Sequence, residues 1–120
     1  MDNRFRFRAW DAKNYKYLFD IQNKKSFQEI LNNNDFEIEK CTGFKDANGV
    51  LIYENDILQP TDGTDYHIVI FYDKDCGAYM LDTQDAMPEY LYEYIKKYQQ
   101  LNLRLIGNVH ENSELLENTN

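Results

Sequence analysis

The sequence predicts an α+β, β-rich fold of antiparallel strands with one or two short helices. Aromatic residues make up 15% of the 120 residues, with 10 Tyr and 7 Phe, and aromatic side chains suit pleated, half-buried strands. Short runs of apolar and polar residues alternate with a period of two, as strands do. Turn residues separate those runs, and Asn48-Gly49 is the strongest of the short hairpin signals.

Residues 4–10 alternate strictly. On one strand they put Phe5, Phe7 and Ala9 on one face and Arg4, Arg6 and Arg8 on the other. Residues 11–14 read as a turn, followed by a second alternating run with Tyr15, Tyr17, Phe19 and Ile21 on one face. Ser26 stands where a helix cap belongs, with Glu29 three residues on, so a short capped helix through Asn32 is expected. Phe36, Ile38 and Lys40 alternate with two Glu residues as a strand. After the turn at Gly49 come a strand over 50–53 and a sharp corner at Asn55, where positive φ is expected. Residues 66–72 read as a strand buried on both faces or nearly so, and 78–82 as its hairpin partner. Asp85 is a candidate cap and Pro88 suits a helix's first turn. A helix through about Gln100 then carries Tyr90, Leu91, Tyr94, Ile95 and Tyr98 as one stripe. A last strand runs from Leu103 toward Val109, and a polar tail from Glu111 is expected to fray, with Leu115 and Leu116 able to dock.

Length fits a single domain over 1–120. Within it, a hairpin plus short helix is expected over 1–40, a barrel-like part over 41–110 and a tail over 111–120. Asp and Glu number 21 against 13 Lys and Arg, a net charge of −8, which opposes non-specific binding to nucleic acid or anionic membrane. Cys41 and Cys76 stand apart without metal-ligand spacing, as structural thiols in a reducing compartment would. No signal-peptide pattern and no long apolar run is seen, so a cytoplasmic location away from membrane is expected.

Candidate chemistry is sparse. Arg4, Arg6 and Arg8 with Trp10 could contact a nucleic acid through charge and stacking, although an exposed strand face whose arginines pair with surplus carboxylates is the commoner origin of such a stripe. Asp62, Asp65, Asp73, Asp75, Glu89 and Glu93 form acidic groups, but the four Asp residues fall in turns, where Asp serves the backbone. They miss the spacing of a calcium loop. His67 and His110 belong to no nucleophile–base pattern, and no Gly-rich phosphate loop occurs. No catalytic residue, metal ligand or cofactor site is therefore assigned. Tyr90, Tyr94 and Tyr98 are candidates for a partner surface, because Tyr is frequent at binding hot spots. A core-facing helix would show the same stripe.

Three ordered blocks resemble the YopX-like family of bacteriophages and prophages. They are Phe7-Arg8-Ala9-Trp10-Asp11; Thr42-Gly43-Phe44-Lys45-Asp46 with Asn48-Gly49, Ile52-Tyr53-Glu54 and Asp56-Ile57; and Ile106-Gly107-Asn108-Val109 with Glu111-Asn112 and Glu114-Leu115-Leu116. They span nearly the whole chain. The family usually has Gly where Asn55 stands and often Tyr where His110 stands. The resemblance implies a phage or prophage origin, a small SH3-like, partly open barrel and self-association, but no particular activity. The expected function is that of a non-enzymatic accessory protein that binds itself or a host or phage protein. The alternatives are a nucleic-acid-binding module using the N-terminal strand and an acidic DNA mimic that inhibits a host protein.

Overall fold

The computed structural model describes residues 3–84, 86–98 and 101–117. Most of its strands pair antiparallel, in two sheets, with two helices, so the α+β, β-rich fold read from the sequence is the fold observed. The chain forms two compact units, residues 1–43 and 44–120.

The first unit begins with a 3-10 turn at Asn3–Phe5 and continues as β1 (Phe7–Asp11), β2 (Lys16–Phe19), a second 3-10 turn (Ile21–Asn23) and α1 (Phe27–Leu31). The strand β3 (Phe36–Lys45) then crosses from this unit into the next. β1 lies between β2 and β3, antiparallel to both, with Ala9 opposite Leu18 and Ile38. Residues opposite each other share a face. Ala9, Ile21 and Ile30 therefore form a small core with Phe7, Leu18, Phe27, Phe36 and Ile38 packed on it.

The expected strand over 4–10 is thus shorter than the alternation implied. It starts at Phe7, because residues 3–5 turn, with the Arg6 N–H donating to the Asn3 carbonyl. Likewise β2 excludes Tyr15, which takes φ 56 in the preceding turn, and Ile21, which lies in a 3-10 turn. Ser26 does precede α1, but its side chain makes no capping bond. β3 runs on past the expected end through Gly43, whose φ is 86. A Cβ there would come 2.6 Å from Cγ of Arg4, so both the backbone and the Arg4 stem require glycine.

The second unit contains β4 (Leu51–Tyr53), β5 (Asp56–Pro60), β6 (Ile68–Asp73), β7 (Ala78–Asp82), β8 (Glu89–Tyr90), α2 (Leu91–Tyr98), β9 (Leu103–Asn108) and a 3-10 turn at Ser113–Leu116. Five strands in the order β8-β7-β6-β5-β9 make an antiparallel sheet curled into a half-barrel. Ile52, Leu58, Ile68, Ile70, Leu81, Leu91, Leu101 and Leu103 fill its core. Each such aliphatic side chain contributes roughly 1.5–3 kcal/mol on burial.

β6 starts later than expected, at Ile68, and buries Ile68 and Ile70 while Val69 and Phe71 stay half-covered, so only one face is fully buried. α2 also starts later: Pro88 precedes an extended pair, Glu89–Tyr90, and the helix opens at Leu91. The candidate cap Asp85 and the expected helix end at Gln100 lie outside the described residues. The tail forms a 3-10 turn at Ser113–Leu116, held where the His67 ring donates through Nδ1 to the Leu115 carbonyl at 2.6 Å.

Asn55 adopts φ 71, as its place between two short strands predicts. Its N–H donates to the Ile70 carbonyl and its own carbonyl accepts from Val109. The next turn element, Asp56, is buried and accepts the Tyr53 N–H at 2.7 Å. Glycine adopts the left-handed backbone of residue 55 without strain, so Asn55→Gly should keep stability to within about 1 kcal/mol. Asn55→Val should lower it by about 1–2 kcal/mol through left-handed strain. Urea unfolding of the two variants measures the difference.

Candidate functional site

The four N-terminal candidates have different surroundings. Arg4 is exposed in the first 3-10 turn, and Arg6 is half-exposed, 3.8 Å from Asp20. Arg8 is only 5% exposed and Glu39 is fully buried. The Arg8 Nε donates to Glu39 Oε1 at 2.7 Å, and the Tyr17 hydroxyl donates to the same oxygen at 2.9 Å. The guanidinium also lies 4.2 Å from the Tyr17 ring centroid. Trp10 is buried and meets Tyr15 and Tyr17 edge-on, with centroids 4.8 and 5.0 Å apart. The arginine stripe expected on one strand face is therefore divided. Arg4 has left the strand, and Arg8 with Trp10 sits in a buried aromatic and ionic cluster.

The carboxylates follow a rule that the sequence displays only in part. Asp11, Asp46, Asp62, Asp73 and Asp82 each accept the backbone N–H two residues on, from Lys13, Asn48, Thr64, Asp75 and Gln84. Asn108 does the same for His110 and also takes the Glu111 N–H. These are Asx turns, in which a side-chain oxygen replaces a backbone acceptor. Asp46 reaches furthest, taking the N–H of Asn48, Val50 and, across the sheet, Leu105. Gly107 belongs to the same scheme: a Cβ would lie 2.5 Å from the Asn112 Oδ1 that accepts the Asn108 N–H. The blocks read from the sequence thus consist largely of residues that fasten turns.

The tyrosine stripe also separates. Tyr90 is in β8 rather than in the helix and is 45% exposed, whereas Tyr94 is half-buried against the core of the second unit. The Tyr98 side chain lies outside the described residues. Sequence reasoning missed two neighbours, Met87 at 86% exposure and Tyr92 at 62%. Pro88 was the available signal, since a residue before proline is driven into extended backbone. Met87 thus lies outside any helix, and Glu89–Tyr90 beyond Pro88 forms the edge strand of the sheet. An open groove of about 410 Å³ runs here, lined by Glu89, Tyr90, Glu93, Tyr94 and Lys97. The Tyr90 phenol is pushed up from its ordinary value, first by the adjacent Cys76 thiol, then by partial loss of solvent, and more weakly by Asp73 and Glu93.

No buried side-chain nitrogen or oxygen among the described residues lacks a hydrogen-bond partner. No helix among them is long and apolar enough to cross a membrane.

Removing one member of a buried ion pair leaves the other charge uncompensated. Arg8→Met should therefore cost about 3–5 kcal/mol, and Arg8→Met with Glu39→Met should recover much of it. A double-mutant cycle in urea measures both. The Asn14 side chain, the foremost influence, holds the Asp11 carboxyl below its ordinary value; burial opposes, and the Asn14 and Lys13 amides add to the lowering. A depressed folded pKa gives a contribution complete above the unfolded value and lost as pH falls through the folded one. Between about pH 4 and pH 2, Asp11→Asn should therefore lose less stability than the parent, read as the shift of melting temperature with pH.

Comparison with known proteins agrees with this geometry. The crystal structure of protein EF1440 from Enterococcus faecalis is similar, with 26% sequence identity and a TM-score of 0.62 over 93% of this chain and 97% of that one. No curated protein sequence matches the chain. A family model described as YopX protein matches residues 19–117, a stretch that includes the turn-fastening Asp46, Asp56 and Asn108. With fold, turn residues and family model in agreement, the chain belongs to the YopX protein family.

Proposed function

We propose that this chain is a non-enzymatic accessory protein of a phage or prophage, acting in the bacterial cytoplasm by binding protein, either itself or a host or phage factor. The observation that carries the reading is the exposure of Met87, Tyr90 and Tyr92 at one end of the five-stranded sheet. Exposed aromatics and a methionine in and around an edge strand suit a surface that another chain covers. Asp62 and Asp73, two of the acidic candidates, are engaged with backbone N–H groups, which supports a role in holding turns. The nucleic-acid reading has less behind it, because Arg8 and Trp10 are buried. The DNA-mimic reading rests on the net charge of −8 alone.

A pull-down of the tagged chain from bacterial lysate, with and without nuclease, tests the proposal, together with light scattering of the purified chain. The expected result is a nuclease-resistant protein partner or a concentration-dependent oligomer, either one weakened by a Tyr90→Ser, Tyr92→Ser variant. A monomer whose partners all vanish with nuclease would contradict it.

A further inference from the structure

The groove beside β8 combines three features. β8 is the last strand of its sheet, so among the described residues one of its sides has no strand beyond it. Its residues Glu89 and Tyr90 are both exposed, and Tyr94 from α2 forms the inner wall. The charges facing the groove are unequal: Glu89 and Glu93 line it with Lys97, and Asp73 is near enough to act on the Tyr90 phenol. Two carboxylates against one ammonium line the groove, and the nearby Asp73 adds to the negative side.

That charge balance selects among occupants. A second copy docking the same edge by two-fold symmetry would bring Glu89 and Glu93 against themselves, and like charges across strands are unfavourable. Neither an acidic nor an uncharged apolar strand would engage the carboxylates. An extended segment carrying Arg or Lys at alternate positions meets each feature. Its backbone would add to the β8 edge, its cations would lie over the Tyr90 and Tyr94 rings, and Glu89 and Glu93 would accept charge-assisted hydrogen bonds. Pro88 and the two-residue length of β8 limit the backbone contribution, so side-chain recognition dominates.

From this arrangement we infer that the groove formed by β8 and α2 binds an extended basic segment of a protein partner, with Glu89 and Glu93 reading its cations and Tyr90 serving as the stacking surface. The inference rests on the protein-binding reading above and names the partner's chemistry. Binding is strongest at low ionic strength, because the carboxylates are exposed and salt screens them.

The probe is a short fluorescent peptide alternating Arg with Val, titrated into the full chain and followed by anisotropy. The expected result is saturable binding that weakens about tenfold or more in Glu89→Gln, Glu93→Gln and weakens in Tyr90→Ser. Glu114→Gln, Glu117→Gln changes net charge equally at exposed positions elsewhere, and it should bind as the parent does. No binding, or an equal loss in that charge-matched control, would overturn the inference, the latter by assigning the effect to bulk charge. Lysate capture with the Glu89→Gln, Glu93→Gln variant separates the two levels. A nuclease-resistant partner held equally by parent and variant removes this groove but keeps the protein-binding reading. A parent that captures no protein and stays monomeric counts against the reading itself.

Discussion

The Asp46 carboxylate gathers three backbone N–H groups from two distant stretches of chain. Oδ1 takes Asn48 and Val50 at 2.9 and 2.8 Å, and Oδ2 takes Leu105 at 2.8 Å. The first two close the hairpin turn ahead of β4. The third ties that turn to β9, beside a further bond from the Ala47 N–H to the Leu103 carbonyl. β9 in turn pairs with β5, which carries Asp56 and follows the Asn55 corner. A buried carboxylate is costly without such partners, and three donors make burial favourable. One side-chain acceptor thus ties the turn ahead of β4 to the last strand of the half-barrel.

The same economy runs through the acidic residues. Their excess over basic residues invites a search for metal ligands or catalytic acids, yet five aspartates serve as Asx acceptors. Where a charge is fully buried, as at Glu39, it is met by a guanidinium and a phenol. Interior polarity is therefore given over to architecture. In the proposed reading, recognition falls to side chains that the fold holds outward, among them Met87, Tyr90 and Tyr92.

Local signals were legible where one residue type answers one backbone demand. Asn55 announced its positive φ, Asn48-Gly49 announced a turn, and the alternation of Phe36 and Ile38 announced β3. The signals failed where a tertiary partner overrode a local pattern. Arg4-Phe5-Arg6 alternates like a strand but turns. Tyr90, Tyr94 and Tyr98 keep helical spacing, but Tyr90 pairs with Met80 of β7 as an extended residue. The alternation at Arg8 correctly gave its face but not its burial, which depends on Glu39, 31 residues away. Candidate site residues were hardest to read because exposure is a property of the packed chain, as Met87 shows.

Native-state hydrogen exchange of the amides of Asn48, Val50, Leu105 and Tyr53 tests most directly whether these carboxylates are structural fasteners. If they are, all four amides open only with the global unfolding of the second unit, and Asp46→Ala selectively accelerates Asn48, Val50 and Leu105. Fast exchange of these amides in the native protein would contradict the account, since Asp46 and Asp56 would then be available for other ligands.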